Sequence, residues 1–411
     1  MHHIPAVIIG AGQAGLAMSR CLDRQQIEHV VLERGRIAER WRSERWDSLR
    51  LLTPNWMNQF PGWHYQGDDP DSFMSAAEYA ASLEQYATSF FAPVITGATV
   101  LSLCRLRGGY RVESSKGTWQ ARSVVIATGH CDVPFVPEMA RSLPASVCQL
   151  TPTAYRGPSD LPDGGVLVVG AAASGIQLAE EIQRSGRHVT ISVSRHTRLP
   201  RRYRGHDIMW WLHGHGVLDD DAITDAELES ARALPSIQLI GRPEPADLDL
   251  AVLRDMGVRL VGRLADVDGG VLSLNRNLVE AVGSSHARLE RLLARIDVFA
   301  DAAGASAESH PKPFPVEESP RKLDLAANGI RTVIWATGFR RNYYWLHVPV
   351  LDASGEIIHA RGVTPSAGLY VTGLRFLRQR DASFIAAVDG DASELADSIQ
   401  RHLNMAPRIA A

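Results

Sequence analysis

Residues 3–34 read HIPAVIIGAGQAGLAMSRCLDRQQIEHVVLER, and the rest of the chain is organised around this stretch. A short apolar run over residues 6–9 has the composition of a buried parallel strand. The glycine pattern GxGxxG follows at once over residues 10–15, and a helical pattern over 16–24 and a second apolar run over 29–32 come next. A strand, a glycine turn, a helix and a second strand in this order predict a unit that binds a dinucleotide.

Each glycine of this turn answers a physical requirement. Gly10 permits the tight turn out of the strand, Gly12 has no Cβ and lets a pyrophosphate approach the backbone, and Gly15 lets the helix pack closely on the sheet. The helix N-terminus offers free amides and a partial positive charge to the pyrophosphate. The acid that ends the second strand can accept hydrogen bonds from ribose hydroxyls. The alternative interpretation of this stretch is a strand–turn–helix unit that binds no ligand. We assign to this site Gly10, Gly12, Gln13, Ala14, Gly15 and Glu33.

The bulk composition is that of an ordinary globular chain. With 411 residues the chain is long for one core, so we expect two or three domains. A hydrophobic share of 45% and a charged share of 22% are typical of such proteins, and a net charge of −3 predicts no nucleic-acid surface. No run approaches the roughly 18 apolar residues of a membrane span, and the first strand begins too early to leave room for a signal peptide. We therefore expect no membrane partner.

The cysteines indicate neither a metal site nor a redox pair. They form no CxxC and no metal-ligand spacing, and they are Cys21, Cys104, Cys131 and Cys148. Their scarcity suits a reducing compartment, so we expect a cytoplasmic protein without a bound metal.

Tryptophans and arginines crowd the segment over residues 34–63, directly after the ribose-binding acid. One interpretation is an aromatic cluster that faces the core beside a solvated face of arginines. The other is a cover over the ring end of the bound dinucleotide, which we favour because of the segment's place in the chain. Arg34 and Trp41 are therefore further candidates for cofactor binding.

A second fingerprint repeats the first in the middle of the chain. The apolar run 166–169 precedes GAAASG at residues 170–175, and a helical pattern over 176–184 and a strand over 188–193 follow. Where the first unit ends in an acid, this one has an arginine, which favours a 2′-phosphate and so predicts an NADPH site. The alternative is a surface cluster with Arg198, Arg201 and Arg202. We assign to this site Gly170, Ala172, Ser174, Gly175 and Arg195, with Ala172 departing from the usual second glycine.

Both units close in the same way. Apolar strands end in Ala-Thr-Gly at residues 127–129 and again at 336–338, so Thr128, Gly129, Thr337 and Gly338 join the candidate cofactor-binding residues. Prolines punctuate residues 134–162 and mark a crossing between domains. A repeat of this length is a duplicated architecture.

The sequence thus predicts an α/β fold with two Rossmann-like dinucleotide-binding domains, the NADPH domain inserted into the FAD domain. The FAD-binding domain comprises residues 1–158 and 341–411, and the NADPH-binding domain comprises 159–340. A helix over 75–89 has Ser75 as N-cap and Glu78 three residues on, and an amphipathic helix covers 280–296. In the tail, a strand over 369–372 and a helix over about 392–403 return to complete the first unit.

Two such units side by side argue for electron transfer from a nicotinamide donor to a tightly held flavin. A disulfide reductase would need a CxxC near the flavin, which this chain lacks. Transfer to an external quinone or iron–sulfur protein leaves no sequence mark. Reaction with dioxygen gives a C4a-hydroperoxide that inserts one oxygen atom into a substrate, and this route needs a dry pocket.

The chain resembles the flavin-containing monooxygenase family, which includes the plant YUCCA-type enzymes and bacterial relatives. The turn at residues 10–15 is similar to the family's FAD turn, and Glu33-Arg34 with Trp41 is similar to its ER…GG…W segment, with Ala38-Glu39 for the two glycines. Residues 45–61 resemble its R-x-Y-D-x-L-x-L…P…FP stretch, with Trp46 for the tyrosine. Residues 170–175 with Arg195 resemble its NADPH turn and phosphate reader, and residues 336–339 match its ATG[YF] motif.

The chain departs from the family at two places. The family's identifying motif FxGxxxHxxx[YF] falls near residues 147–155, where Thr151 replaces the histidine and Tyr155 keeps the closing aromatic. The Baeyer–Villiger form of this motif is absent too. The family's asparagine near flavin C4a aligns with Leu52, so neither Asn55 nor Asn58 is assigned a catalytic role.

The resemblance implies an FAD- and NADPH-dependent monooxygenase that oxygenates a small organic molecule with dioxygen through a flavin C4a-hydroperoxide. No catalytic side chain is assigned, because the reactive group belongs to the flavin. Oxygenation of nitrogen, sulfur or carbon stays open. The alternatives are an NADPH-dependent two-electron flavoprotein reductase with an external acceptor and a flavin-binding scaffold without turnover. A homodimer is the default expectation for the assembly.

Overall fold

The structure is a computed structural model that describes residues 1–214, 235–243, 246–375, 377, 385 and 388–405. The acidic run over residues 219–221 lies outside these residues. The chain divides into two compact units. Unit 1 comprises Met1–Ser43, Thr53–Val133 and Phe339–Ala411, and unit 2 comprises Glu44–Leu52 and Pro134–Gly338.

The helices of the described residues follow the periodic stretches of the sequence. In chain order they are α1 Gln13–Arg24, α2 Glu39–Ser43, α3 Ala76–Ser89, α4 Ala173–Arg184, α5 Ile208–Gly214, α6 Leu250–Asp255, α7 Leu278–Ala302 and α8 Val388–Met405. Short 3-10 turns occur at Asn55–Met57, Glu138–Ser142 and Pro158–Asp160.

The strands of the first half are β1 His2–Ile9, β2 His29–Leu32, β3 Gln59–Phe60, β4 Trp63–His64, β5 Val94–Ile95, β6 Val100–Leu106, β7 Gly109–Ser114, β8 Gly117–Ile126, β9 Val133–Pro134, β10 Cys148–Leu150, β11 Gly165–Val169 and β12 Val189–Ser192. The later strands are β13 Thr197–Arg198, β14 Arg202–Tyr203, β15 His206–Asp207, β16 Ile237–Gln238, β17 Arg259–Val261, β18 Leu264–Asp268, β19 Val271–Leu274, β20 Lys322–Asp324, β21 Ile330–Trp335, β22 Phe339–Arg340 and β23 Leu369–Val371.

Unit 1 is built on a seven-stranded sheet in the order β5-β2-β1-β8-β7-β6, with β23 also pairing with β8. The pairs of β1 with β2 and β8, and of β23 with β8, are parallel, so their carboxyl ends lie at one edge. Alternate apolar residues of β1, β8 and β23, among them Val7, Ile126 and Val371, are buried in one core with Tyr110 and Trp119. The tail therefore completes the first unit, as the sequence predicts.

Unit 2 repeats the plan with a five-stranded parallel sheet in the order β10-β21-β11-β12-β17. Every residue of β11 and β12 is buried, as expected for a parallel sheet covered on both faces. A separate antiparallel sheet, β18-β19-β20, packs into the second of this unit's two apolar cores.

The predicted α/β class with two dinucleotide-binding-type units is confirmed. Helix α3 begins with a complete capping box between Ser75 and Glu78, and α7 covers the predicted amphipathic stretch. The unit boundaries differ from the sequence-based ones at three segments, of which residues 339–340 lie in unit 1 instead of the NADPH-binding segment. Residues 134–158 and 44–52 lie in unit 2, whereas the sequence analysis groups them with the FAD-binding segment. The cofactor that each unit binds stays a prediction.

Candidate dinucleotide-binding sites

The first glycine turn has no room for side chains at two of its three glycines. Gly10 has a φ of +109°, and a Cβ added there would lie 2.6 Å from the carbonyl oxygen of Ala127. A Cβ at Gly15 would lie 1.9 Å from the carbonyl oxygen of Gly10. Both glycines are therefore required by the packing of α1 against the ends of β1 and β8.

The third glycine leaves space for a ligand. Gly12 is the N-cap of α1 in an extended conformation, and no side chain of the described residues caps the helix there. A Cβ at Gly12 would meet no atom within 4 Å. The amides of Gln13, Ala14 and Gly15 at this helix end are thus available to an anion, which fits the pyrophosphate of a dinucleotide.

Glu33 is positioned by the backbone of the turn. Its carboxylate accepts hydrogen bonds from the amide of Ala11 at 2.7 Å and from the amide of Gly35 at 2.9 Å. The residue is only 9% exposed. Each carboxylate oxygen keeps a second lone pair, so this anchoring is compatible with the predicted contact to a ribose.

Gln13 and Trp41 are held by the same buried tyrosine. The hydroxyl of Tyr79 on α3 donates to Oε1 of Gln13 at 2.8 Å, and the ring of Trp41 meets the ring of Tyr79 edge-on at 4.9 Å. Complete burial raises the pKa of Tyr79 well above its ordinary value, so the phenol stays a hydrogen-bond donor. Trp41 is half-buried and packs beside the turn.

The remaining candidates of unit 1 are more exposed. Arg34 has a side chain that is 53% exposed and lies 3.9 Å from Asp132. Thr128 and Gly129 follow β8 directly and are half-buried, and Gly129 has a φ of +75°. These residues lie at the edge where β8 ends, because β8 runs parallel to β1.

The sequence analysis missed one residue of this site. Gly373 follows β23 with a φ of +73°, and a Cβ there would lie 2.8 Å from the Cβ of Ala14 on the first turn of α1. The amide of Thr372 donates to the carbonyl of Ile126 at 2.9 Å and so fixes the approach. The sequence marks Gly373 only as a turn glycine, because its neighbour Ala14 is more than 300 positions away in the chain.

An aromatic cavity lies in unit 1. It has a volume of about 650 Å³, and its walls include Trp56, Phe60, Trp63, His64, Tyr65 and Pro70. Phe60 stacks on Tyr86 at 5.0 Å and lies 6.3 Å from Tyr79, so the cavity wall continues into the core. The aromatic segment is thus both a core cluster and a cavity wall, and its predicted role as a cofactor cover stays a prediction.

The second glycine turn repeats the geometry of the first. Gly170 has a φ of +111°, and a Cβ there would lie 2.3 Å from the carbonyl oxygen of Ala336. A Cβ at Gly175 would lie 1.9 Å from the carbonyl oxygen of Gly170. Ala336 thus takes the place that Ala127 has in unit 1.

Ala172 fits the second turn without strain. Its φ and ψ are −82° and −174°, and those of Gly12 are −83° and −174°. This conformation is open to any residue, and the corresponding Cβ position at Gly12 is empty. The departure from GxGxxG therefore costs the fold nothing.

The N-terminus of α4 has neighbours that the sequence analysis did not find. Ser236 accepts a hydrogen bond on Oγ from the amide of Ala173 at 3.3 Å, and Gln238 donates to the carbonyl of Ala171 at 2.7 Å. Ser174 is half-buried on the first turn of this helix. Ser236 is exposed and able to turn away, so the helix end can still receive a phosphate.

The arginines after β12 have different environments. Arg195 is exposed, whereas Arg201 is 1% exposed and pairs with Asp207. Arg198 lies 2.6 Å from Asp249. Arg198 and Arg201 are therefore balanced by their own carboxylates, whereas Arg195 is exposed and forms no ion pair among the described residues, which does not favour a single surface cluster of arginines.

The second Ala-Thr-Gly segment is bound to the backbone beside it. The hydroxyl of Thr337 donates to the carbonyl of Phe135, and the amide of Phe135 donates to the carbonyl of Gly338 at 2.9 Å. The Thr337 hydroxyl thus has a protein partner, and the predicted cofactor contact of both residues stays a prediction.

The motif around residues 147–155 has a structural role in unit 2. Thr151 pairs with Thr153 at 2.9 Å, and the hydroxyl of the buried Tyr155 donates to Glu181 on α4 at 3.1 Å. The hydroxyl of Ser48 donates to the other oxygen of Glu181 at 2.8 Å. Burial raises the pKa of Glu181, and the two donated hydrogen bonds oppose this shift.

The described part of the chain contains neither a cluster of metal ligands nor a helix that could span a membrane. No group of three or more His, Cys, Asp or Glu side chains could hold a metal ion there. None of the helices described is both long and apolar enough to cross a membrane.

Residues 7–212 match a family model described as pyridine nucleotide-disulphide oxidoreductase. An uncharacterized oxidoreductase, CzcO-like, from Geobacillus kaustophilus is 31% identical over 404 residues, which is 98% of this chain and 99% of that protein. Indole-3-pyruvate monooxygenase YUCCA1 from Oryza sativa subsp. japonica is 31% identical over 185 residues, which is 44% of this chain and 45% of that protein.

Among solved structures, a flavin-containing monooxygenase from Stenotrophomonas maltophilia superposes with a TM-score of 0.67 at 19% identity. The match covers 98% of this chain and 99% of that chain. At this identity the likeness shows a shared fold, and it extends over nearly the full length of both chains.

Proposed function

Because this chain belongs to the flavin-containing-monooxygenase-like part of the pyridine nucleotide-disulphide oxidoreductase family, we propose that it uses FAD and NADPH to add one oxygen atom of dioxygen to a small organic molecule. Proteins of this kind are flavin monooxygenases and other oxidoreductases, and this chain is an oxidoreductase. The specific cofactors, the use of oxygen and the substrate are parts of the proposal.

The proposal rests on one observation above all. Two glycine turns of the same geometry occur in one chain, with φ values of +109° and +111° at Gly10 and Gly170. The segments after the second strand of each unit carry opposite charges, Glu33 directly after β2 and Arg195 three positions after the end of β12. Glu33 favours an unmodified ribose diol, and Arg195 favours a 2′-phosphate. This difference supports FAD in unit 1 and NADPH in unit 2.

The residues around the first turn fit a flavin dinucleotide. The open position at Gly12 and the free helix amides would take the pyrophosphate, Glu33 would take the ribose, and Gly373 approaches the same helix end. When bound, FAD supplies the redox chemistry that passes electrons from NADPH to dioxygen. The chain's part is to bind and orient the two nucleotides and to exclude water.

The alternative is an NADPH-dependent reductase that gives two electrons to an external acceptor. The name of the family favours a disulfide as acceptor, but the sequence contains no CxxC. A reductase would therefore need an acceptor that brings its own redox group.

A cytoplasmic location and a homodimeric state are further parts of the proposal for this protein.

The two functions are separated by the fate of dioxygen. The purified holoenzyme is supplied with NADPH, isotope-labelled dioxygen and a panel of amines, thioethers and 2-oxo acids, and the products are analysed by mass spectrometry. We expect one labelled oxygen atom in the product of at least one class. NADPH oxidation that reduces an added quinone or dye without oxygen, with no label in any product, would reject the monooxygenase.

A further inference from the structure

Helix α7 fixes the loop after β12 at the residues that directly follow Arg195. Arg288 on α7 donates through Nη2 to the carbonyl of His196 at 2.7 Å, and the amide of Arg198 donates to Oγ of Ser285 at 3.1 Å. His196 is 2% exposed, and its Nδ1 lies 3.0 Å from the carbonyl of Ser194. Arg195 is therefore presented to solvent from a rigid loop.

Arg195 on this loop and Arg288 and Arg291 on α7 form a positively charged corner. The charges of Arg291 and Arg195 both act on Arg288 and, after burial as the main cause, lower its pKa. Arg288 and Arg291 are one turn apart on the same face of α7. Nε of Arg288 is buried and has no hydrogen-bond partner among the described residues.

No carboxylate in the described part of the chain forms an ion pair with any of these arginines, although other arginines of unit 2 are paired. Arg198 has Asp249 at 2.6 Å, and Arg184 has Glu180 at 2.8 Å. Like charges held together without a counter-charge repel each other, and a bound dianion removes that repulsion. The corner therefore has the uncompensated positive charge that an anion site requires.

We infer that Arg288, together with Arg195 and Arg291, binds the 2′-phosphate of the nicotinamide dinucleotide and so determines the preference for NADPH over NADH. The inference deepens the proposed function and rests on it. A phosphate monoester has three acceptor oxygens, and guanidinium groups match it through paired N–H donors. Arg195 lies where the ribose of the second unit is expected, and Arg288 touches the next residue of the same loop.

A purely structural role for Arg288 makes a different forecast. Its hydrogen bond to His196 braces the loop that carries Arg195, so a brace alone would act on the 2′-phosphate only through Arg195. In an Arg195→Ala background, removal of a brace would cost no further affinity for 2′,5′-ADP, whereas removal of a direct phosphate ligand would cost affinity there as well and leave 5′-AMP unaffected. This comparison of the two nucleotides needs neither turnover nor a bound flavin.

The test measures dissociation constants of both nucleotides by calorimetry for the full chain and for Arg288→Met, alone and in the Arg195→Ala background. We expect the variant to lose about tenfold or more for 2′,5′-ADP, as for one hydrogen bond to a charged group, and about twofold or less for 5′-AMP. Arg288→Lys keeps the charge and should recover part of the loss. Arg195→Ala and Arg291→Ala should each lower the same preference.

The matched control is Arg184→Met, which removes one positive charge from the exposed end of α4. It should leave the preference unchanged. Equal losses for both nucleotides in Arg288→Met, no loss for either, or no further loss for 2′,5′-ADP in the Arg195→Ala background would overturn the inference and leave the NADPH proposal standing. A wild-type chain that binds 2′,5′-ADP no better than 5′-AMP would overturn both.

Discussion

At the scale of single residues, the glycines of the two turns have separable roles. Gly10 and Gly15, like Gly170 and Gly175, are needed because backbone oxygens occupy the space of a side chain. Gly12 is not needed by the fold, and unit 2 has an alanine at the same position in the same conformation. The glycine pattern therefore mixes a packing requirement with a ligand requirement.

This separation predicts opposite results for two neighbouring substitutions. Gly15→Ala places a Cβ against the carbonyl of Gly10 and should lower the free energy of unfolding by about 1–3 kcal/mol. Gly12→Ala should leave it within about 0.5 kcal/mol of the wild type, as at an unconstrained position. Denaturant titration of both variants checks this. Equal losses would contradict the roles assigned to the two glycines.

Glu33 gives a second prediction at this scale. Glu33→Gln keeps the shape but removes the negative charge to which the amides of Ala11 and Gly35 donate. It also replaces one acceptor oxygen by the NH2 group of a carboxamide, which is a donor and cannot accept from either amide. We expect FAD retention to fall by about tenfold, in line with the loss of a charged hydrogen bond. The FAD-to-protein ratio after gel filtration is the measurement.

Glu28→Gln is the matched control, because it makes the same change at an exposed position just before β2. It should retain FAD as the wild type does. A similar ratio in both variants would show that the charge of Glu33 has no part in holding the cofactor.

At the scale of elements, α4 connects the second glycine turn to a segment far away in the sequence. Glu181 on α4 accepts hydrogen bonds from the hydroxyls of Tyr155 and Ser48. Trp46 packs into the apolar core that also contains the buried residues of α4. The backbone of Arg156 accepts from the amide of Asp47 at 3.0 Å. Residues 44–52 therefore fold as part of unit 2, and Tyr155 is linked to them through its hydrogen bond to Glu181.

The buried carboxyl of Glu181 predicts a pH dependence of stability. Burial raises the folded-state pKa of Glu181 above its ordinary value of 4.5, so the folded chain holds this proton more tightly than the unfolded chain. Stability from this group is present at pH below 4.5 and is lost as pH rises through the folded pKa. Glu181→Gln removes the titration, so the melting temperature of the wild type should fall relative to the variant from pH 4 to pH 7.

Melting curves of both proteins across this range provide the measurement. Comparison with Glu28→Gln, at an exposed position just before β2, corrects for general effects of charge removal. A difference between wild type and Glu181→Gln that stays constant with pH would contradict the raised pKa.

At the scale of the whole molecule, the sequence was sufficient for everything that depends on local pattern. The sequence predicts the two turns, the strands around them, the capping box of α3 and the return of the tail to the first unit, where β23 pairs with β8. Local periodicity and glycine spacing encode these features directly.

The features that the sequence did not reveal depend on contacts between distant residues. Arg288 meets the loop after β12 across about 90 positions, Gly373 meets Ala14 across more than 300, and residues 44–52 join unit 2 through Glu181. No periodicity or motif marks such pairs, because each residue reads as an ordinary arginine, turn glycine or serine in its own neighbourhood.

The central claim is that two similar turns hold two different dinucleotides, and the open position in each turn allows a direct test. Gly12→Leu and Ala172→Leu place a side chain where the pyrophosphate would approach, at extended positions that tolerate any residue. FAD content and NADP⁺ affinity are measured for both variants. We predict that Gly12→Leu loses FAD and keeps NADP⁺ binding, and that Ala172→Leu does the reverse. Loss of the same nucleotide in both variants, or of neither in a folded chain, would contradict the account.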